Sequence, residues 1–134
     1  MTETAGGVAA WKDAGPGDGW KKVGLEQLSA WNPRYVFVIS YGAPSGPIAE
    51  DIRNSRTIAG TIAGFPSDFY SWDQADTRWI LGLEWMAVTL HPELFPRLDM
   101  REEVREFFGR LYGIDEATLT REILPRLEGA FAPR

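Results

Sequence analysis

The chain of 134 residues contains no cysteine and a single histidine. The lack of cysteine excludes disulfide bonds, thiolate metal sites and thiol nucleophiles, and it leaves the redox compartment undefined. One imidazole cannot build a metal site without partners at ligand spacing. We therefore expect no metal site and no cofactor held by this chain, and we interpret His91 as a residue that caps a helix.

Positive charge and long apolar runs are also scarce. Fourteen Lys and Arg residues stand against nineteen Asp and Glu residues, which gives a net charge of −5, and the basic residues form no run. Such a chain lacks the surplus that neutralises phosphates, so we expect no nucleic-acid binding. No stretch approaches the ~20 apolar residues of a membrane span, and the first thirty residues hold no apolar run of signal-peptide length. We therefore expect no membrane insertion and no export signal.

The sequence also lacks the residue patterns of catalysis. The acidic pairs Glu50 with Asp51 and Glu102 with Glu103 are adjacent in sequence, so their side chains do not face each other on a helix. No Ser-His-Asp arrangement and no glycine-rich phosphate loop is present. The sequence predicts a protein that is not an enzyme.

The composition that remains is that of a folded domain. Hydrophobic residues make up 44% of the chain and charged residues 25%, which is typical of globular proteins. The length suits one domain over residues 1–134 and is too short for two. Residues 1–23 hold five glycines and Pro16, so we predict an irregular leader in which Trp11 and Trp20 are the apolar anchors.

The first half of the chain alternates helix and strand patterns. Apolar spacing predicts a helix over Leu25–Trp31, which Asn32-Pro33 ends because Pro disfavours helical geometry in the residue before it. The continuous β-branched and aromatic run Tyr35–Ser40 predicts a parallel strand buried on both faces. A short helix over Pro47–Ser55 and a second strand over Thr57–Gly64 follow, and then an aromatic loop over residues 65–73.

The second half is predicted to be helical. Asp73 or Asp76 can cap a helix that runs to about Leu90 and is apolar nearly all round, so it belongs in the core. Asp99 with Glu102 three residues on resembles a capping box. It precedes an amphipathic helix with the apolar positions Val104, Phe107, Phe108, Leu111 and Tyr112, closed by Gly113.

A last helical segment begins near Glu116, with Leu119, Ile123 and Leu127 on one face, and Pro125 is expected to kink or divide it. Together these elements predict an α/β fold: a small Rossmann-like lobe with a short parallel sheet and a helical carboxy-terminal half. So little sheet indicates part of a larger assembly.

Three segments carry a resemblance to a known family. They are residues 19–33 (GWKKVGLEQLSAWNP), 70–73 (YSWD) and 78–93 (RWILGLEWMAVTLHPE). In that order they resemble the second lobe of the class III substrate-binding proteins, which deliver iron siderophores, haem and cobalamin to ABC importers. The chain departs from the family pattern at Arg34, where an Asp is usual, and at His91, which replaces a Tyr.

The resemblance implies one wall of a cleft that holds a metal chelate, either a ferric siderophore, haem or a corrinoid. The partners it implies are the membrane subunits of the importer, together with a missing amino-terminal lobe or a second copy of the chain. Glu26 stands where the family places a surface glutamate that engages arginines of those membrane subunits. Family membership also implies a periplasmic or cell-surface location, although the chain carries no export signal.

Four residues are candidates for ligand contact: Tyr41, Tyr70, Trp72 and Arg78. Tyr41 follows the first strand, where open α/β sheets bind ligands; a simple turn is the alternative. Tyr70 and Trp72 lie in a loop and offer flat faces with polar handles, or they anchor that loop in the core. Arg78 can pair with an anionic chelate, or it forms an ordinary ion pair with Glu84 or Asp73.

The preferred hypothesis is thus a non-enzymatic solute-binding lobe, possible as an isolated lobe, a gene fragment or a short protein that rebuilds the cleft by pairing. The alternative is an interaction module that forms homodimers through an exposed apolar face and binds no ligand.

Overall fold

The structure is a computed structural model, and it describes residues 1–11, 21–41, 43–64 and 75–127. Within these ranges the chain forms the helices and strands α1 (Leu25–Trp31), β1 (Tyr35–Val38), α2 (Ser45–Ser55), β2 (Thr61–Gly64), α3 (Trp79–Leu90), α4 (Met100–Tyr112) and α5 (Glu116–Thr118). The predicted combination of a short parallel sheet with a helical second half is confirmed. The chain is a small α/β protein.

The sheet is built by a β1–α2–β2 unit. The two strands pair in parallel, from Tyr35 opposite Thr61 to Val38 opposite Gly64. Successive side chains of a strand point to opposite faces, so Phe37 and Ala63 pack against the core that contains α3. Val36, Val38 and Ile62 face the other way, towards Ala49 and Ile52 of α2. The sheet is therefore the middle layer between α2 and α3.

Both strands are shorter than the sequence predicted. β1 ends at Val38 rather than Ser40, and β2 begins at Thr61 rather than Thr57. The prediction that the first strand is buried on both faces is wrong, because Tyr35, Val36 and Phe37 are only half-buried and Val38 alone is buried. The physical reason is that β1 has one strand neighbour in the described part of the chain, which leaves its other edge uncovered by a strand.

α3 is the central helix of the main core. It buries Leu81, Gly82, Trp85, Met86 and Val88, and the rings of Trp85 and Phe37 pack in a T-shaped arrangement with 5.6 Å between their centroids. This helix lies in the core, as its apolar sequence predicted, except at its first turn, where Trp79 and Ile80 are exposed. No helix in the described residues has the length and apolar character that crossing a membrane requires.

α4 begins and ends where its sequence predicted. The Asp99 carboxylate accepts a hydrogen bond from the backbone N–H of Arg101 at 2.8 Å, and Gly113 ends the helix in the left-handed conformation with φ of 64°. Only part of the predicted apolar face packs: Val104 is fully buried, while Leu111 and Tyr112 are exposed. The helix extends one turn beyond the core that it covers.

The last segment changes its helical form along its length. α5 is capped by Asp115, whose carboxylate accepts from the N–H of Thr118 at 2.7 Å. It continues as a π-helical turn over Leu119–Ile123 and a 3₁₀ turn over Leu124–Leu127. The change at Leu124 precedes Pro125, which has no N–H to donate. The prediction that Pro125 divides this segment is confirmed.

The amino-terminal residues attach to the core through Ala5, which is 5% exposed. The prediction that Trp11 anchors this leader is wrong, because its side chain is 57% exposed, and Trp20 lies outside the described residues. His91 stands at the end of α3, and its Nε2 lies 3.3 Å from the carbonyl oxygen of Gly6. The amino-terminal residues therefore pack on the core through the small side chain of Ala5, and Gly6 lies beside His91 at the end of α3.

Glu84 makes the stability of the core depend on pH. Burial raises the pKa of this half-buried carboxyl on α3 above its ordinary value of 4.5, and Glu103 of α4 adds to the rise. Because the pKa is higher in the folded state than in the unfolded state, ionised Glu84 destabilises the fold at high pH. As the pH falls through the folded-state pKa, Glu84 becomes protonated, and the destabilisation is gone below the unfolded-state pKa.

We therefore expect Glu84→Gln to raise Tm by about 1–3 °C near neutral pH. The gain should vanish at about pH 4, where the native carboxyl is itself protonated. Thermal unfolding followed by circular dichroism at several pH values measures both effects. Glu50→Gln, at an exposed position of α2, is the control and should change Tm little at either pH. An equal gain at both pH values would contradict this account.

Candidate functional site

The carboxyl ends of the two parallel strands lie at one edge of the sheet, where open α/β proteins bind ligands. We call this the carboxyl edge and define it by Ser40, Tyr41, Ser45, Gly46 and Gly64. A Cβ atom on Gly64 would lie 2.9 Å from the Ser45 hydroxyl oxygen and 3.2 Å from the Gly46 nitrogen. The end of β2 therefore packs directly on the first turn of α2, against the Ser45 hydroxyl and the backbone of Ser45 and Gly46.

Tyr41 is the aromatic residue that the described structure places at this edge. It follows β1 by three residues, and its side chain is 56% exposed. Ser45, which begins α2, is buried. An exposed phenol at this edge can stack on a flat ligand and donate or accept one hydrogen bond.

Arg78 lies in the turn that leads into α3. Its backbone N–H donates to the Asp76 carboxylate at 2.7 Å, and its Nε donates at 3.0 Å. Its Nη2 also bonds to Asp76, so the guanidinium engages the carboxylate in a fork. These side-chain hydrogen bonds are the main reason that the pKa of Asp76 lies below its ordinary value. Asp76 offsets the charge of Arg78 and fixes its orientation.

The sequence named Glu84 or Asp73 as the ion-pair partner of Arg78, whereas the structure gives Asp76. The same carboxylate was a candidate helix cap, but the helix begins at Trp79 with no side-chain cap. An acceptor two residues before the N–H it binds is the pattern of an Asx turn, so the Asp-x-Arg spacing was the signal that could have found this contact. Asp73 lies outside the described residues.

The remaining predicted site residues are not brought together with Tyr41 by the described structure. Tyr70 and Trp72 fall within residues 65–74, outside the described residues. Glu26 is exposed in the first turn of α1. Because α1 packs through Leu28 on the core of Val38 and Ala49, Glu26 belongs to the layer of the protein that contains α2.

An apolar surface whose residues the sequence did not identify lies where α3 begins and α4 ends. The Thr77 hydroxyl and the Tyr112 hydroxyl are 2.7 Å apart, which joins the two ends. The exposed side chains there are Trp79, Ile80, Leu111 and Tyr112, and we call them the apolar patch. Helical periodicity predicted that Leu111 and Tyr112 face the core. Periodicity within one helix does not indicate where the element packed against it ends.

Comparison with known proteins adds no family to these observations. No family model matches the chain, and no curated protein or solved structure matches it either.

Proposed function

We propose that this chain is a Rossmann-like solute-binding lobe of an ABC importer for metal chelates, either ferric siderophores, haem or corrinoids. The observation that carries the proposal is the parallel β1–α2–β2 unit, whose carboxyl edge presents the exposed ring of Tyr41. A parallel unit of this kind is the building block of doubly wound domains, which bind ligands at that edge. The three sequence segments that resemble the class III substrate-binding proteins supply the ligand class.

The proposed ligand contacts are Tyr41, Tyr70, Trp72 and Arg78. In the sequence, Tyr70 and Trp72 fall between Gly64, which ends β2, and Asp76, which holds Arg78. Aromatic faces suit a macrocycle or a catecholate, and a guanidinium suits the carboxylates of a chelate. Asp76 already engages one side of Arg78, so this residue serves best as an oriented donor with a reduced net charge.

The proposed importer contact is Glu26. Its carboxylate is exposed on α1. A group that contacts guanidinium side chains of a membrane subunit must be exposed in this way. Such a contact contributes orientation and salt-sensitive attraction more than affinity. The test uses the importer that transports the bound chelate and measures how far this protein stimulates the importer's ATP hydrolysis. Glu26→Lys should abolish the stimulation, and Glu50→Lys, on the exposed side of α2, should preserve it. Equal effects of both variants would reject Glu26 as a specific contact.

A single lobe supplies one wall of a cleft. Ligand pockets bury most of a ligand's surface, so full affinity requires a second wall, from an amino-terminal lobe or from a second copy of the chain. The lobe alone is expected to bind weakly and saturably.

Titration with a ferric siderophore panel, haemin and cobalamin tests the proposal. We expect saturable quenching of tryptophan fluorescence, corrected for ligand absorbance, by one class of chelate. Tyr41→Ala should weaken binding roughly tenfold, the effect of losing about 1.4 kcal/mol. Leu94→Ala removes a side chain that is 68% exposed but lies outside the carboxyl edge, and it should leave binding unchanged. A folded chain that responds to none of these ligands would refute the proposal.

The apolar patch favours a second candidate function, a homodimerising interaction module that binds no chelate. Exposed apolar side chains at two helix ends that are joined, here by the hydrogen bond between Thr77 and Tyr112, are typical of interfaces. Under this alternative, Trp79→Ala and Leu111→Ala would lower the fraction of dimer measured by sedimentation. The titration would show no binding of any chelate.

A further inference from the structure

The two outer edges of the sheet differ in how their backbone groups are used. Thr61 donates its N–H to the carbonyl oxygen of Arg34 at 2.8 Å, and the strands pair in parallel with Tyr35 opposite Thr61. In a parallel ladder the N–H and C=O of one residue point to the same side, and successive residues alternate. Val36 and Val38 therefore bond towards β2, while Tyr35, Phe37 and Ile39 direct their backbone groups away from it.

The outer edge of β2 is closed by a side chain of this chain. By the same alternation, the carbonyl of Ile62 points away from β1. Arg53 of α2 donates its Nη1–H to that oxygen at 2.9 Å. A charged side chain on an edge strand is one of the devices by which proteins prevent further strand pairing.

The outer edge of β1 shows no such device within the described residues. No hydrogen bond described there engages the backbone groups of Tyr35, Phe37 or Ile39 on that side. The sequence of this strand, Tyr-Val-Phe-Val-Ile, is apolar on both faces, and it contains neither a charged residue nor a proline that would oppose pairing at the edge. An apolar strand edge whose backbone groups make no hydrogen bond among the described residues is a template for pairing with another chain.

We propose that a second copy of the chain occupies this edge, with the two β1 strands antiparallel and centred on Phe37. This register places Phe37 opposite Phe37 of the second copy and Tyr35 opposite Ile39. All of these residues direct their backbone groups outward, so they form hydrogen-bonded pairs with about six inter-chain bonds. Aromatic residues paired across strands with aromatic or β-branched ones stabilise antiparallel sheets.

The charges of the strand agree with a self-complementary pairing. The one charged residue next to β1 is Arg34, whose guanidinium carbon lies 5.6 Å from the centre of the Tyr35 ring. In the proposed register Arg34 faces the neutral Ser40 of the second copy, so no like charges meet. The result is a four-stranded sheet with an isologous two-fold interface, and its two outer edges are those that Arg53 closes. This inference is independent of the proposed chelate binding.

The absence of native cysteines permits a test of the register. Arg34 and Ser40 of the second copy form a non-hydrogen-bonded pair with Cα atoms roughly 4.5 Å apart, which a disulfide can bridge. Two copies of Arg34, by contrast, are separated by roughly 20 Å along the strands. We expect the Arg34→Cys and Ser40→Cys variants to cross-link when mixed and mildly oxidised, and neither to cross-link with itself.

The strength of the edge contact is tested by a matched pair of variants at Tyr35. Tyr35→Pro removes the outward N–H without removing a bond to β2, and Tyr35→Val removes the same ring but keeps the N–H. Sedimentation equilibrium should give a dimer dissociation constant roughly tenfold higher for Tyr35→Pro than for Tyr35→Val, with both chains folded by circular dichroism.

Three results would overturn the proposal. They are a native chain that stays monomeric at high micromolar concentration, a mixture of the two cysteine variants that cross-links no better than each alone, and equal dissociation constants for the two Tyr35 variants. A dimer that shows neither the mixed cross-link nor a difference between the Tyr35 variants, and that is lost in Trp79→Ala, would assign the interface to the apolar patch instead.

Discussion

Leu81→Ala is expected to lower the free energy of unfolding by about 3 kcal/mol. Leu81 is 1% exposed and belongs to the core cluster that includes Trp85, Met86 and Val104. Truncation removes the transfer free energy of the deleted methyl and methylene groups, and it also leaves a cavity, because packed neighbours relax only partly. Helix propensity does not add to the loss, since alanine is the better helix former.

Urea unfolding followed by tryptophan fluorescence measures this loss, because Trp85 lies in the core that α3 organises. Leu111→Ala is the matched control. It makes the same chemical change in α4, at a side chain that is 63% exposed, and should alter stability by no more than about 0.5 kcal/mol. If both variants lose the same free energy, Leu81 is not enclosed as described.

Gly60→Ala is expected to destabilise the fold by about 2–4 kcal/mol, the range for severe local strain and a lost backbone bond. A Cβ atom at Gly60 would lie 2.0 Å from the carbonyl oxygen of Pro33 and 2.9 Å from that of Arg34. Neither carbonyl is the end of a flexible side chain, so the backbone itself must move. The movement would break the hydrogen bond from Thr61 to Arg34, which is the first contact between β2 and β1.

Gly46→Ala provides the control for the loss of a glycine. Gly46 lies in the first turn of α2, and a Cβ atom there would meet nothing within 4 Å. Alanine restricts the unfolded chain and favours the helix, so this variant should be neutral or up to about 1 kcal/mol more stable. Denaturant unfolding of the two variants side by side checks the prediction. A stable Gly60→Ala protein would mean that the approach of Pro33 to Gly60 is looser than described.

Local sequence signals predicted the elements whose ends are set by nearby residues. Asp99 and Gly113 bound α4 because a carboxylate accepts from a free N–H in the first turn and glycine adopts a positive φ at little cost. α1 ends at Trp31, where Asn32 takes the left-handed conformation before Pro33. These signals act within one turn of chain, so they hold whatever the rest of the fold does.

The candidate site was predictable only in its general position. The apolar run Tyr35–Ser40 predicted a strand, and Tyr41 directly follows that run. Tyr41 was therefore predicted at the carboxyl edge, because parallel strands align their ends. The Asp76 fork on Arg78 and the hydrogen bond between Thr77 and Tyr112 were not predicted. The first needed the geometry of a turn, and the second joins residues 35 positions apart.

The sequence by itself determined which segments are helical, which are extended and where capped helices stop, because these depend on side-chain periodicity and on hydrogen bonds between near neighbours. Tertiary structure alone decided which apolar side chains are enclosed. It buried Ala5 and left Trp11 exposed, and it left most of β1 half-buried despite the continuous apolar run of that strand. Burial depends on which distant elements are adjacent in space, and a local pattern does not encode where those neighbours begin and end.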